Sequence, residues 1–313
     1  KGTLNDGKIK KDGYVQFGEQ YFEKLTHTDD TDDFGRPASK WTYDKKDIGT
    51  YVNYDLLVSE YTTKVKGGDV YSDIGSVAAD YDLTYYVDGV KLEKDAVKTQ
   101  SSYIAKKNDD KMGDSGNGVL TQIFVDNDDE ALTIVEINTY LGIADSDYSE
   151  KKDEAKFTVW GLSKEGKTYT KVAFNKDGTL KTTSDSASFT VSGEDFNVSK
   201  VEEDDAYLFT VAAGEVQTFV PAEAVKDTEI TSFKKGSNVT AGGTKYSFNA
   251  AAYYDAEVLK DYTDGTVTNL KDTTYNIYLD TYGNLIGLEE VDAVDNYVFI
   301  TGADNGDPLP GGK

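Results

Sequence analysis

The chain has 313 residues, with 57 acidic against 33 basic side chains and a formal net charge of −24. It carries one histidine and no cysteine, which excludes disulfide staples, thiol chemistry and cysteine-ligated zinc. So negative a surface repels phosphate backbones and anionic bilayers, which argues against nucleic-acid and membrane partners and suits a soluble protein that meets cations outside the cell.

No run approaches 18 apolar residues, so no membrane span is expected. Arg36 is the single arginine, so bidentate guanidinium clamps are nearly excluded. The 23 Tyr and 13 Phe, set among many Thr and Val, favour strands and argue against a disordered chain. Starting at Lys1, the chain reads as a processed or trimmed piece of a longer protein.

Period-two alternation recurs along the whole sequence and marks half-buried strands. Tyr14–Phe17 is the first. Segment Asn53 to Val65 fits strand or helix. Asp69–Ile74 predicts a short helix capped by Asp69. Leu83–Val87, the turn Asp88-Gly89 and Val90–Leu92 spell a hairpin, because Asp accepts neighbouring amides and Gly tolerates positive φ. Gln122–Val125 and Leu132–Ile137 form a second hairpin around Asp126-Asn127-Asp128-Asp129. Phe157–Leu162 and Lys171–Phe174 are expected to pair, with a turn at Asn175–Gly178.

Phe189–Val191, Tyr207–Val211, Thr218–Val220 and Tyr246–Phe248 read as further strands. Pro221–Val225 predicts a helix start with Pro in the first turn, and Ala250–Lys260 a helix by alanine content. Tyr275–Asp280 and Leu285–Glu289 flank the turn Thr281–Asn284, and Tyr297–Ile300 reads as the last strand. The expected fold is mainly all-β: several sandwich-like antiparallel modules with a few short helices. The expected units are residues 1–75, 76–150 and 151–301, the last divisible in two, followed by a Pro/Gly linker tail at 302–313.

Two stretches resemble a known family. They are Asp33-Phe34-Gly35-Arg36-Pro37 with Lys40–Tyr43 and Ile48–Tyr51, and Thr274 through Gly287; the hairpin from Gln122 to Leu141 also fits. Together they look like secreted surface proteins of gut Clostridia and other Firmicutes that carry S-layer homology domains. The resemblance implies export, an extracellular place at the cell surface, and a role in the coat. It makes cell-wall glycans, surface glycans or neighbouring surface-protein copies the expected partners. The S-layer homology repeat itself, which binds wall polysaccharide, is not found in this sequence.

Candidate chemistry is sparse. His27 lies in the polar run Thr26 to Asp33, where an exposed loop residue is the plainer reading than a triad base, since no Gly-x-Ser-x-Gly elbow accompanies it. Calcium is the expected cofactor if there is one, because it takes several oxygens from a flexible loop. Asp126, Asp128 and Glu130 are the first ligand set, and Asp29, Asp30, Asp32 and Asp33 the second. In a chain this acidic, solvated turns explain such clusters more simply.

A carboxylate pair is the one catalytic apparatus left open, as in glycoside hydrolysis, yet nothing singles out which pair. Trp41 and Trp160 read as core anchors rather than sugar platforms. The function expected is a structural or adhesive, non-catalytic surface segment. The alternative is a carbohydrate-binding or glycoside-cleaving extracellular module.

Overall fold

The computed structural model describes residues 24–160, 188–212, 215–234, 237–254 and 274–291, with short strands at 7–9, 15–17, 20–22, 172–174 and 180–182. The expected strand at Tyr297–Ile300, the tail at 302–313 and residues 255–260 of the alanine-rich stretch lie outside the described residues. The fold is mainly β, as the strand-and-turn pattern predicts.

Strands β1 (Gly7–Ile9), β2 (Val15–Phe17) and β3 (Gln20–Phe22) form a small antiparallel sheet. A second sheet follows, built from β4 (Leu25–Thr31), β5 (Pro37–Tyr43) and β6 (Lys46–Val52). Its tight turn at Asp32–Arg36 is fixed by Asp32, which accepts the Phe34 and Arg36 amides and ion-pairs with the Arg36 guanidinium at 2.5 Å.

The third sheet is mixed. It orders β7 (Leu57–Tyr61), β10 (Leu120–Asp126), β11 (Ala131–Ile137), β8 (Asp82–Val87) and β9 (Val90–Lys91). Asn53 to Val65, ambiguous in sequence, resolves into a 3-10 turn at Tyr54–Leu56 followed by β7. The β8–β9 hairpin forms as expected, with Asp88 at φ 48° and Gly89 at φ 77°, the two positive values that a tight hairpin turn of this twist needs. The β10–β11 hairpin also forms as expected, and its register runs from Leu120↔Ile137 to Asp126↔Ala131. β8 and β11 run parallel, which a purely antiparallel expectation misses.

Two helices cover one face of this sheet: α1 (Gly67–Ala78), kinked at Gly75, and α2 (Lys94–Tyr103). In α1 the cap position falls on Lys66, and Asp69 reaches back to accept the Lys66 amide at 3.0 Å. The other face is covered by Phe34 and Ala212. Burial on both faces explains why Ile123, Phe124 and Val125 are consecutive and all buried.

The fourth sheet orders β16 (Ser188–Ser192), β13 (Glu154–Trp160), β12 (Tyr140–Ala144), β17 (Ala206–Ala212) and β18 (Glu215–Pro221). The expected pairing of β13 with Lys171–Phe174 is not the one made. β13 lies between β12 and β16, while β14 (Val172–Phe174) pairs with β15 (Leu180–Thr182). Phe157 is the centre of one face, edge-on to Tyr207 and Phe219 at 5.5 and 4.9 Å.

The last unit is a closed barrel of β19 (Glu223–Lys234), β20 (Asn238–Ala241), β21 (Thr244–Tyr254), β23 (Leu285–Val291) and β22 (Thr274–Leu279). In its own numbering the order is 1-2-3-5-4, closing 4 on 1, with strands 3 and 5 parallel; this is the strand order of OB-type Greek-key barrels. Ile230, Val239, Ile277 and Leu285 fill the interior. Pro221–Val225 is strand rather than helix. Pro221 ends the edge strand β18, where a missing N–H costs no ladder bond. Ala250–Tyr254 is also strand, and Ala252 is buried in the barrel, where small residues fit a tapered interior.

Sheets draw strands from both sides of positions 75 and 150: β7 pairs with β10, and β12 with β13 and β17. Neighbouring units also share apolar cores. Leu141 and Leu208 of the fourth sheet pack on Tyr278 and Ile286 of the barrel.

Candidate functional site

The acidic turn after β10 is organised by its first residue. Asp126 Oδ1 accepts the amides of Asp128 and Asp129 at 2.9 and 3.2 Å. Asp128 and Glu130 are exposed, and Glu130 sits at φ 50°. In the first cluster, Asp32 is committed to Arg36, while Asp30 accepts the neighbouring Thr31 amide at 2.8 Å. Asp29, Asp30, Asp126 and Asp129 line one cleft of about 270 Å3 between the second and third sheets. Thus the fold brings together parts of the two clusters that the sequence separates. Among the described residues, no three histidine or carboxylate side chains stand together as a metal-holding group.

His27 is in strand β4, not in a loop. It pairs with Trp41, and the two rings lie 4.7 Å apart with Trp41 buried. A cross-strand aromatic pair of this kind stabilises the sheet. The side chain of Trp160 lies outside the described residues.

A larger cleft, about 520 Å3, opens where the fourth sheet meets the barrel. Asp204, Asp205, Glu289 and Glu290 line it, with Asn276 and Tyr278. Glu289 Oε2 accepts the Tyr278 hydroxyl at 2.8 Å and the Asn276 amide at 3.2 Å. Burial and then the Glu289 bond push the Tyr278 hydroxyl far above the usual tyrosine range. Tyr207, also at this cleft, spends its ring face on Phe219, stacked at 4.6 Å.

Sequence reasoning missed three buried carboxylates, Asp88, Glu136 and Asp280, each of which accepts bonds from several donors. Glu136, fully buried on β11, accepts the Tyr85 hydroxyl at 2.7 Å and the Asp114 amide at 2.8 Å. Burial is the main reason its carboxyl is pushed up to about 7; the hydrogen bonds oppose that rise and Asp114 adds to it. Asp88, in the hairpin turn, accepts the Asn138 amide and the Tyr140 hydroxyl at 2.8 and 2.6 Å. Asp280, in the turn after β22, accepts the Tyr282 and Asn284 amides, each at 2.8 Å, and Asn249 Nδ2 at 2.7 Å.

One loop runs between two of these nodes. Residues 112–119, which follow α2 in the chain, pass Glu136 and reach the barrel. There Asn117 exchanges two bonds with β21: its carbonyl accepts the Ala250 amide at 2.9 Å, and its Nδ2 donates to the Phe248 carbonyl at 3.2 Å. Gly118, at φ +78°, lies so close to Asn249 Nδ2 and Asp280 Oδ2 that a Cβ would overlap both. Its own amide donates to the Thr62 carbonyl at 2.9 Å. The available signal was a lone charge inside an apolar run, Val135-Glu136-Ile137. A charge so placed is either solvated or deliberately paired.

Comparison of the chain with family models, with curated proteins and with solved structures finds no match.

Proposed function

We propose that this chain is a structural or adhesive, non-catalytic segment of an extracellular cell-surface protein, with wall glycans, surface glycans or neighbouring surface-protein copies as its partners. One observation carries the reading. The buried carboxylates Asp88, Glu136 and Asp280 all hold backbone turns and junctions in place. Buried polar groups spent on turns, and through Asp88 and Tyr140 on the join of the third and fourth sheets, suit a structural segment. The acidic charge and the resemblance to S-layer-associated proteins point the same way.

The test is a pull-down of the purified chain on wall glycan fragments, run beside sedimentation of the chain alone. Retention on the glycan or concentration-dependent assembly is expected. Release of reducing sugars from those fragments would end the non-catalytic reading.

The second reading, a carbohydrate-binding or glycoside-cleaving module, is favoured by the 520 Å3 cleft, where carboxylates and Asn276 offer hydrogen bonds at the joint of two units. Its weak point is aromatic: Tyr207 and Tyr278 are 8% and 7% exposed and offer no open ring face for a sugar. Release of reducing sugar that Asn276→Ala abolishes would favour it over the first.

A further inference from the structure

Asn117 and Gly118, where the 112–119 loop meets the barrel, are an Asn-Gly pair, and that dipeptide has a chemistry of its own. The glycine nitrogen, once deprotonated, can attack the asparagine Cγ. Glycine has no Cβ to shield its nitrogen and a wide backbone range in which to approach. The N–Cγ bond forms, the Cγ–Nδ2 bond breaks, and Nδ2 leaves as ammonia with the amide proton. Water then opens the cyclic imide at either carbonyl and leaves aspartate or isoaspartate. No electron is gained or lost.

In the folded protein both reacting groups are engaged elsewhere. The Gly118 N–H donates to the Thr62 carbonyl at 2.9 Å, just past β7. Asn117 Nδ2 donates to the Phe248 carbonyl at 3.2 Å, and the Asn117 carbonyl accepts the Ala250 amide at 2.9 Å. Gly118 is buried at φ +78°, against Asn249 and Asp280. For the glycine nitrogen to reach Cγ, the loop must give up its bonds to the mixed sheet and to the barrel.

We propose that Asn117 is a covalent modification site held in check by the fold: it deamidates only when the loop lifts off, and the product cannot dock again, so each event frees the loop from the barrel for good.

The groups that the products carry oppose redocking. Where Nδ2 donates, aspartate brings a carboxylate oxygen to the Phe248 carbonyl, acceptor against acceptor. Isoaspartate routes the main chain through Cβ and Cγ, so the path to Gly118 is one carbon longer. Gly118 has no room for such a shift, since a Cβ on it would already overlap Asn249 Nδ2 and Asp280 Oδ2. Either product adds a negative charge next to the glycine that lies against Asp280.

The opening step has a second reporter in the same atom. The Gly118 N–H must leave Thr62 both to exchange with solvent and to release the nitrogen for attack. If one opening serves both, each is slowed by the same factor relative to an open chain.

The test is a deamidation time course of the full chain at mildly alkaline pH, without urea and at several sub-denaturing urea concentrations that bring slow openings into range. Peptide mapping separates Asn117 from the second Asn-Gly pair, Asn305-Gly306. A synthetic peptide of residues 116–120 supplies the open rate, and hydrogen exchange of the Gly118 amide is followed in the same buffers. Deamidation of Asn117 is expected to be slowed at least about thirtyfold against the peptide, by a factor matching the Gly118 protection factor within about threefold at each urea concentration. Deamidation at the peptide's rate overturns the proposal, as does a mismatch between the two factors in either direction.

Release is read at the Ala250 amide, with the Ala144 amide, bonded to the Asp205 carbonyl in the fourth sheet, as control. In Asn117→Asp, Ala250 protection is expected to fall at least about tenfold while Ala144 keeps its own. The deamidated chain isolated from the time course gives the same reading if the variant does not fold. Unchanged Ala250 protection, or an equal fall at Ala144, overturns the one-way release.

Discussion

The turns after β10 and after β22 begin alike and end differently. Each opens on an aspartate whose Oδ1 accepts two amides from the next few residues: Asp126 takes Asp128 and Asp129, and Asp280 takes Tyr282 and Asn284. Local turn chemistry is therefore the same. The second oxygen makes the difference. Asp280 Oδ2 accepts Asn249 Nδ2 and Asn284 Nδ2, at 2.7 and 3.0 Å, with Gly118 pressed against it, and the residue is 4% exposed. Asp126 lines an open cleft. Charge density in sequence points to the β10 turn, whereas structural weight lies on the β22 turn. A dense acidic run is what solvation tolerates, and an isolated aspartate beside apolar strands is what pairing requires.

The sharpest way to break this comparison is at Gly118. Gly118→Ala places a Cβ onto Asn249 Nδ2 and Asp280 Oδ2 in a left-handed backbone region. Strain of roughly 1 kcal/mol adds to overlap of about 1–3 kcal/mol, so a loss of roughly 2–4 kcal/mol is expected by urea unfolding. A loss below about 0.5 kcal/mol would show that the junction is loose.

Next comes Asp280→Ala. It leaves the buried Asn249 amide and two turn amides without their acceptor, at an expected cost of roughly 2–3 kcal/mol. Asp280→Asn keeps one acceptor oxygen and is expected to recover part of that loss. Equal losses in both variants would mean that the carboxylate charge, and not its geometry, holds the turn.

Tyr85→Phe follows, at about 1–2 kcal/mol, because it removes the hydroxyl that Glu136 Oε1 accepts while keeping the ring in the core under α1 and α2. Its cost is expected to be greater at pH 8 than at pH 5. Glu136, pushed up to about 7, is ionised in the first condition and needs the donor more. Denaturation midpoints at the two pH values check the sign, and a larger loss at pH 5 reverses the argument.

The strands were legible because their causes are local. Alternation, β-branched residues and turn residues, Asp-Gly in one case, pointed to both hairpins of the third sheet and to the β22–β23 pair. Failures came where distant partners decide. Helix α2 has no fully buried residue, so its pattern carries no apolar stripe to read. The β13 strand neighbours β12 and β16 rather than the next strand along the chain, and hairpin logic cannot supply that. The helix signals at Pro221–Val225 and in the alanines from Ala250 are local preferences, which strand pairing in the fourth sheet and the barrel overrides. His27 lies in an acidic run that looks like a loop, but its neighbours Leu25 and Trp41 complete a strand face. The junction was the least legible part. Gly118, Asn249 and Asp280 come from three separate segments, and each looks ordinary alone.

The smallest effect belongs to the turn that looked most like a site. Asp126→Ala removes an acceptor from two amides that water can reach, so about 0.5–1 kcal/mol is expected. Calcium sharpens the point. A cation held by Asp126, Asp128 and Glu130 needs those oxygens free to converge, but Asp126 Oδ1 is engaged by its own turn. Millimolar calcium is therefore expected to move the melting temperature by no more than about 1 °C, in wild type and in Asp126→Ala alike. A rise of several degrees confined to the wild type would reverse the comparison: it would put the ligand-dependent element at the exposed turn and leave the buried one as scaffold. A flat response keeps Asp126 as a solvated turn residue and Asp280 as the aspartate on which the units depend.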